Sequence, residues 1–221
     1  MAGEWGKHTN FELALQVPLL IRAPWLAQSA GQHTNSFVEL VDLYKTLASV
    51  AGLPLDTLAA DVDGADHSKL LSDPTAILSQ EAYAQYSRCP GDRFWPRRMS
   101  HVPADIFNNC EGVPAANISA MGYSVRTAEW RLTEWYRWDG SMCVAMFDTP
   151  LVIELYDHRL DETSSGVINF DATENVNVAA VRPDVVAALR HKLRLRFDTG
   201  LGLGCPPQPT EAESYAAFED I

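Results

Sequence analysis

The sequence predicts an α/β protein in two unequal parts: an α/β piece over residues 1–75, then a smaller antiparallel-sheet-plus-helix subdomain over 76–200. Residues 201–221 read as a loosely ordered tail. Three observations predict this. An apolar run, Val17 to Ile21, precedes a stretch with helical rhythm, Ser36 to Ala51. From Ile77 onward the pattern changes to short runs of β-branched and aromatic residues. A second helical rhythm, Pro183 to Phe197, follows those runs.

Taken in order, Phe11 to Leu15 reads as a short helical turn, and Val17 to Ile21 as a buried strand, with Pro18 among its first residues and Pro24 ending it. Ser36 is a natural N-cap and Glu39 completes a capping box. Phe37, Leu40, Val41, Tyr44, Leu47, Ala48 and Ala51 recur at helical spacing until Gly52 and Pro54 close the helix. Asp61 to Pro74 is polar and reads as a connection. Ala82–Ser87, Met121–Thr127, Trp130–Tyr136 and Val152–Tyr156 read as strands, with turn signals at Asp139-Gly140 and Thr149-Pro150. Residues 89–117, rich in proline, read as a long excursion of the kind that often forms a lid or binding loop. Pro183 sits at a permitted first-turn position, Val186, Leu189, Leu193 and Phe197 share one side, and the basic residues toward the carboxy end suit the helix dipole.

With 221 residues, 47% hydrophobic and 21% charged, the chain falls in the globular range. A net charge of -12 disfavours nucleic acid and anionic membrane surfaces as partners, because both need clustered Lys and Arg. No apolar run approaches the roughly 18 residues of a membrane-spanning helix. Residues 1–20 lack the basic start, apolar core and small-residue cleavage site of a secretory signal. Cys89, Cys110, Cys143 and Cys205 show no CxxC spacing, and the sequence leaves open whether they are buried thiols or disulfides. Asn117-Ile118-Ser119 fits a glycosylation sequon. His33, His67, His158 and His191 are scattered without metal-ligand spacing, so no metal site is expected among them.

The most informative stretch is Gly3-Glu4-Trp5-Gly6-Lys7-His8-Thr9-Asn10-Phe11-Glu12, followed by Val17-Pro18-Leu19-Leu20-Ile21. Together with Val38 to Leu47 leading into Ala51-Gly52-Leu53-Pro54, with Met121 to Thr127, and with Glu154-Leu155-Tyr156-Asp157, it resembles the sulfatase family, most of all its iduronate-2-sulfatase-type branch. The fold this implies is the end of an alkaline-phosphatase-like α/β domain with the family's small carboxy-terminal subdomain. The activity it implies is sulfate-ester hydrolysis on a sulfated sugar such as iduronate 2-sulfate. It implies that Lys7 is the catalytic lysine that contacts the sulfate; His8, directly after it, is placed to donate to the same anion or to a sugar hydroxyl.

The chemistry suits these residue types. Sulfate-ester cleavage needs a nucleophile, positive charge on the transferring oxygens and an acid for the leaving alkoxide. A lysine ammonium meets nonbridging oxygens without fixed bidentate geometry. Without the resemblance, Lys7 reads as a solvated surface lysine, His8 as a loop histidine bonded to backbone, and Trp5 as packing under the loop. Glu12 reads as a structural acid in the first turn of its helix. His101, with Arg97 and Arg98, is the internal candidate for recognising an acidic sugar, or else those arginines only balance the acidic surface.

Parts that the family requires are missing. The Cys/Ser-x-Pro/Ala-x-Arg motif that becomes formylglycine does not occur, and Cys89-Pro90-Gly91-Asp92-Arg93 is a near miss with its proline one place early. The resemblance implies calcium for the intact enzyme, with ligands and formylglycine both upstream of this chain, in an amino-terminal sulfatase portion that would be its partner. Lysosomal, secreted or periplasmic location is likewise implied only by resemblance. A catalytically silent acidic-sugar or partner-binding module is the alternative, and a phosphate-ester hydrolase of the same superfamily a third reading. An unpaired apolar edge at Val17–Ile21 would make the chain poorly soluble.

Overall fold

The structure is a computed structural model that describes residues 7–89, 110, 113–159 and 174–198. Trp5, the arginines and histidine at 93–101 and the tail after residue 198 lie outside the described residues.

The four longer strand expectations hold to within a few residues. β1 (Glu81–Arg88), β2 (Ala120–Thr127), β3 (Trp130–Asp139) and β5 (Val152–Asp157) form one antiparallel sheet in the order β1-β2-β3-β5, and the two-residue β4 (Val144–Ala145) pairs with the end of β3. The register sets Gly122 opposite both Tyr86 and Trp135, and Trp135 opposite Val152.

Alternation along the strands gives the sheet two unlike faces. On one face Met121, Tyr123, Val125, Leu132, Tyr136 and Leu155 form the core with Val186, Leu189 and Leu193 of a covering helix. That helix is the second long one expected, here α3 (Pro183–Phe197), with proline in its first turn. Its basic residues do more than answer the dipole. Arg190 donates to the fully buried Glu134 (2.8 Å) and Lys192 to Glu81 (2.7 Å), which ties the helix across β3 and β1. The opposite face carries Gly122, Ser124, Arg126, Arg131, Thr133, Trp135, Glu154 and Tyr156. It is covered by the amino-terminal loop and by α1 (Glu12–Leu15).

Two expectations for the first part are corrected. Val17–Ile21 forms no strand, and Val17, Leu19 and Leu20 are exposed, Leu20 at 88%. A strand exists only with a ladder partner, and no described residue offers one. The first long helix is also shorter than expected. A 3-10 turn at Leu40–Asp42 leads into α2 (Leu43–Val50), and the capping box joins Glu39 and Asp42 rather than Ser36 and Glu39. Ser36 is engaged elsewhere: its hydroxyl accepts from the backbone N–H groups of Leu78 and Ser79, both at 3.0 Å. Glu39 accepts in turn from the Tyr83 N–H (2.6 Å), fastening this region to β1. The apolar rhythm is present, yet Leu40, Val41, Tyr44 and Leu47 face outward while Thr46 and Ala48 are buried.

Cys89 and Cys110 are joined by a disulfide, and Cys143 is also disulfide-bonded. Cys89 is therefore no nucleophile, in keeping with its off-register motif. Among the described residues no helix is long and apolar enough to cross a membrane.

Candidate functional site

The loop that carries Lys7 is held from below and open above. Lys7 and His8 are exposed, while Thr9, Asn10 and Glu12, further along the same stretch, are buried. Three anchors produce this contrast. The Asn10 side-chain amide donates to the Gly122 carbonyl (3.1 Å), Arg88 donates to the His8 carbonyl (3.2 Å), and Glu12 enters a charge network on the sheet. Among the described residues no acid reaches the Lys7 ammonium, so its charge stays available to a ligand.

Glu12 departs from its expected role. It does not cap its own helix; Arg131 of β3 and Arg126 of β2 (3.2 Å) both donate to its Oε2. Arg131 also donates to Glu174 Oε1 (2.6 Å) and to the Ser124 hydroxyl (3.2 Å). Glu174 in turn meets the ring of His158 (3.0 Å) and accepts from the Glu12 N–H (2.6 Å). Burial pushes the Glu174 carboxyl upward, but the His158 hydrogen bond and the Arg131 charge outweigh it and hold the group below its ordinary range.

Glu12, His158 and Glu174 present ligand atoms within 4.8 Å of one another, a spacing compatible with a cation. The Arg131 guanidinium already supplies that charge, and calcium takes six to eight oxygens where this cluster offers two carboxylates and an imidazole. The set does not fit calcium, and no step through the metal is assigned to it. Sequence reasoning missed Arg131, His158 and Glu174, since each lies far along the chain from Glu12 with no shared motif. The one available signal was the polar alternation Ser124/Arg126 and Arg131/Thr133, which reads as a solvent face.

Between the loop and the sheet lies a cleft of about 250 Å³ lined by Thr9, Asn10, Phe11, Arg88, Thr133, Trp135, Val152 and Glu154. Arg88 sits over the rings of Trp135 (5.1 Å) and Tyr86 (5.0 Å), so it forms both a wall of the cleft and a support of the lysine loop. The structure thus brings Lys7, His8, Asn10 and Arg88 into one neighbourhood. His33 and His67 line a separate cleft, where His67 faces Asp42 (3.3 Å), and His191 is exposed on α3.

This architecture, a polar sheet face clasping a lysine loop with a helix on the far side, is a mixed α/β fold of the alkaline-phosphatase-like kind. It superposes on the phosphonate monoester hydrolase SpPMH from Silicibacter pomeroyi with a TM-score of 0.54, over 87% of this chain and 31% of that one, at 22% identity. No family model matches the chain. It is nevertheless a homologue of the sulfatases. It is 30% identical over 227 aligned positions to iduronate 2-sulfatase of Mus musculus, covering 82% of this chain and 38% of that protein. It is 26% identical over 191 positions to arylsulfatase K of Bos taurus, covering 85% and 26%. The matches fall on the carboxy-terminal part of these relatives, so the chain spans little more than a third of their length at most.

Proposed function

We propose that this chain is the carboxy-terminal portion of a sulfatase acting on a sulfated sugar of the iduronate 2-sulfate kind, in which Lys7 holds the sulfate and His8 contacts the same anion or the sugar. The observation that carries the reading is the contrast within one loop: Thr9 is buried and Asn10 and Glu12 are anchored, while Lys7 two residues before Thr9 stays exposed to meet an anion. A charged group on a supported loop needs little reorganisation to meet charge that develops on a transferring group.

In this reading the nucleophile and the calcium ligands come from an amino-terminal sulfatase portion. Calcium would there neutralise sulfate charge as a Lewis acid. The outward-facing Leu40, Val41, Tyr44 and Leu47, with Leu19 and Leu20, form the surface on which that portion would pack. The 221-residue chain should bind sulfate but not turn over. The test is an assay of the purified chain on a fluorogenic sulfate ester with added calcium, alongside reading the genomic frame upstream of Met1. No turnover and an in-frame formylglycine motif are the expected results; calcium-dependent turnover by the chain alone would sink the reading.

A further inference from the structure

Asn117-Ile118-Ser119 is the one Asn-x-Ser/Thr sequence in the chain, and the lysine site makes no use of it. The structure gives it a definite setting. A 3-10 turn over Ala115–Asn117 delivers the chain into β2, and both Asn117 and Ser119 are exposed there. Ile118, between them, packs against the sheet core. Side chains in an extended segment alternate in direction, so turning Ile118 inward leaves its two neighbours outside.

The turn is fixed by groups other than the sequon's own side chains. The Asn117 backbone N–H donates to the Pro114 carbonyl (2.8 Å), and the Trp138 indole N–H donates to the Ala115 carbonyl (2.8 Å). Ser119 continues the ladder by backbone alone, donating to the Arg88 carbonyl (2.8 Å) and accepting from the Trp138 N–H (3.3 Å). Gly140 lies against the same turn, so closely that a Cβ there would collide with the Ala116 carbonyl. Asn and Ser in turns ordinarily bond their side chains to nearby backbone. Here neither does: among the described residues the Asn117 side-chain amide and the Ser119 hydroxyl have no hydrogen-bond partner.

An exposed, unengaged carboxamide with a hydroxyl two residues on, and a residue other than proline between, is the acceptor form for an N-linked oligosaccharide. Such a glycan is bulky and needs a surface anchor whose side chain the fold does not require. Asn117 meets that condition, because a glycan on its amide displaces no hydrogen bond and no packed group. Disulfides persist in the oxidising surroundings in which secreted chains receive such glycans, and this chain has one at Cys89–Cys110, seven residues before the sequon.

We propose that Asn117 is an N-glycosylation site. In the transfer, Asn117 Nδ2 attacks C1 of the reducing-end sugar of a lipid-linked oligosaccharide diphosphate. The Nδ2–C1 bond forms, the C1–O bond to diphosphate breaks, the lipid diphosphate leaves, and the amide nitrogen gives up one proton. The glycan projects from the end of the sheet where β1 stops and β2 begins. The proposal stands apart from the sulfatase reading, because it needs neither Lys7 nor a ligand in the cleft.

The experiment expresses the 221-residue chain behind an appended secretion signal in a eukaryotic cell line. Cell extract and medium are both immunoblotted, so retention of the chain inside the cell does not hide the result. The expected result is a band of higher mass that collapses on peptide-N-glycosidase digestion, with the Asn117 peptide showing conversion of the asparagine to aspartate. Asn117→Gln and Ser119→Ala should each abolish the higher band, whereas Ser119→Thr should retain it. The glycosylated chain and its digested form should unfold at the same urea concentration, since the fold makes no use of the Asn117 side chain. An unshifted chain in cells that glycosylate a control protein would overturn the proposal, as would a shift that survives Asn117→Gln. So would a lower urea midpoint for the glycosylated form, which would show that the fold has no room for a glycan at this turn.

Discussion

The side-chain amide of Asn10 donates to the backbone carbonyl of Gly122 at 3.1 Å, across 112 positions of sequence. Gly122 can take this bond because it has no side chain on that face, where the Trp135 indole lies against it. A Cβ built on Gly122 would come within 2.7 Å of the Trp135 ring. The glycine thus lets the indole close one wall of the cleft while its carbonyl holds the lysine loop.

Gly122→Ala should therefore destabilise the chain by about 1–3 kcal/mol, because the indole is backed by Arg88 and has no easy retreat. Urea unfolding followed by Trp fluorescence checks this, with a lower midpoint at unchanged slope as the expected outcome.

Removing the guanidinium from the buried network should cost more. Arg131→Met leaves Glu12 and Glu174 facing each other with one cation fewer, a loss of about 3–5 kcal/mol. Asp198→Ala, which removes only the exposed pair with Arg194, should change stability by less than about 0.5 kcal/mol. Equal midpoints for the two variants would show that the network does not support the fold.

Acid should act through Glu174. Its carboxyl is held below the ordinary range in the folded chain, so its stabilisation is complete above the unfolded value and disappears as pH falls through the folded one. Stability should fall with acid below about pH 4.3, and Glu174→Gln should flatten that limb of a stability-against-pH curve.

Lys7→Ala should leave the unfolding midpoint within about 0.5 kcal/mol of the parent, since the side chain is exposed and unengaged. In the same protein the response of the loop amides to sulfate should vanish. A preserved response would move the anion site away from Lys7.

Reduction of the Cys89–Cys110 disulfide, which links residues 21 apart, should lower stability by about 3 kcal/mol on the chain-entropy account. A thiol titration against the unfolding midpoint reads it directly. Disulfides persist in oxidising surroundings and are lost in reducing ones.

Local signals were legible in the sequence and distant ones were not. Pro183 and the spacing of Val186, Leu189 and Leu193 marked α3, and alternating β-branched and aromatic residues marked β1, β2, β3 and β5. Those patterns depend on neighbours a few positions away. Ser36 has the character of an N-cap, but Leu78 and Ser79 claim its hydroxyl, and nothing local announces that. Val17–Ile21 has strand composition, yet pairing is decided by a partner that the described residues do not contain. At the site, Lys7 and His8 were visible through their motif. Arg131 and Glu154 were hidden because a polar residue on alternate strand positions reads as solvated until a distant loop covers it, and Glu174 because it meets Glu12 across 162 positions with no shared motif.

The anchors of the lysine loop span sequence separations of 80, 112, 119 and 162 residues. Contacts of such reach form only after the intervening chain has ordered. During synthesis the loop leaves the ribosome well before β2, β3 and Glu174 exist to receive it. Its residues therefore wait, exposed to proteases and chaperones, until the sheet closes behind them. The lysine loop is made well before the strands that fasten it.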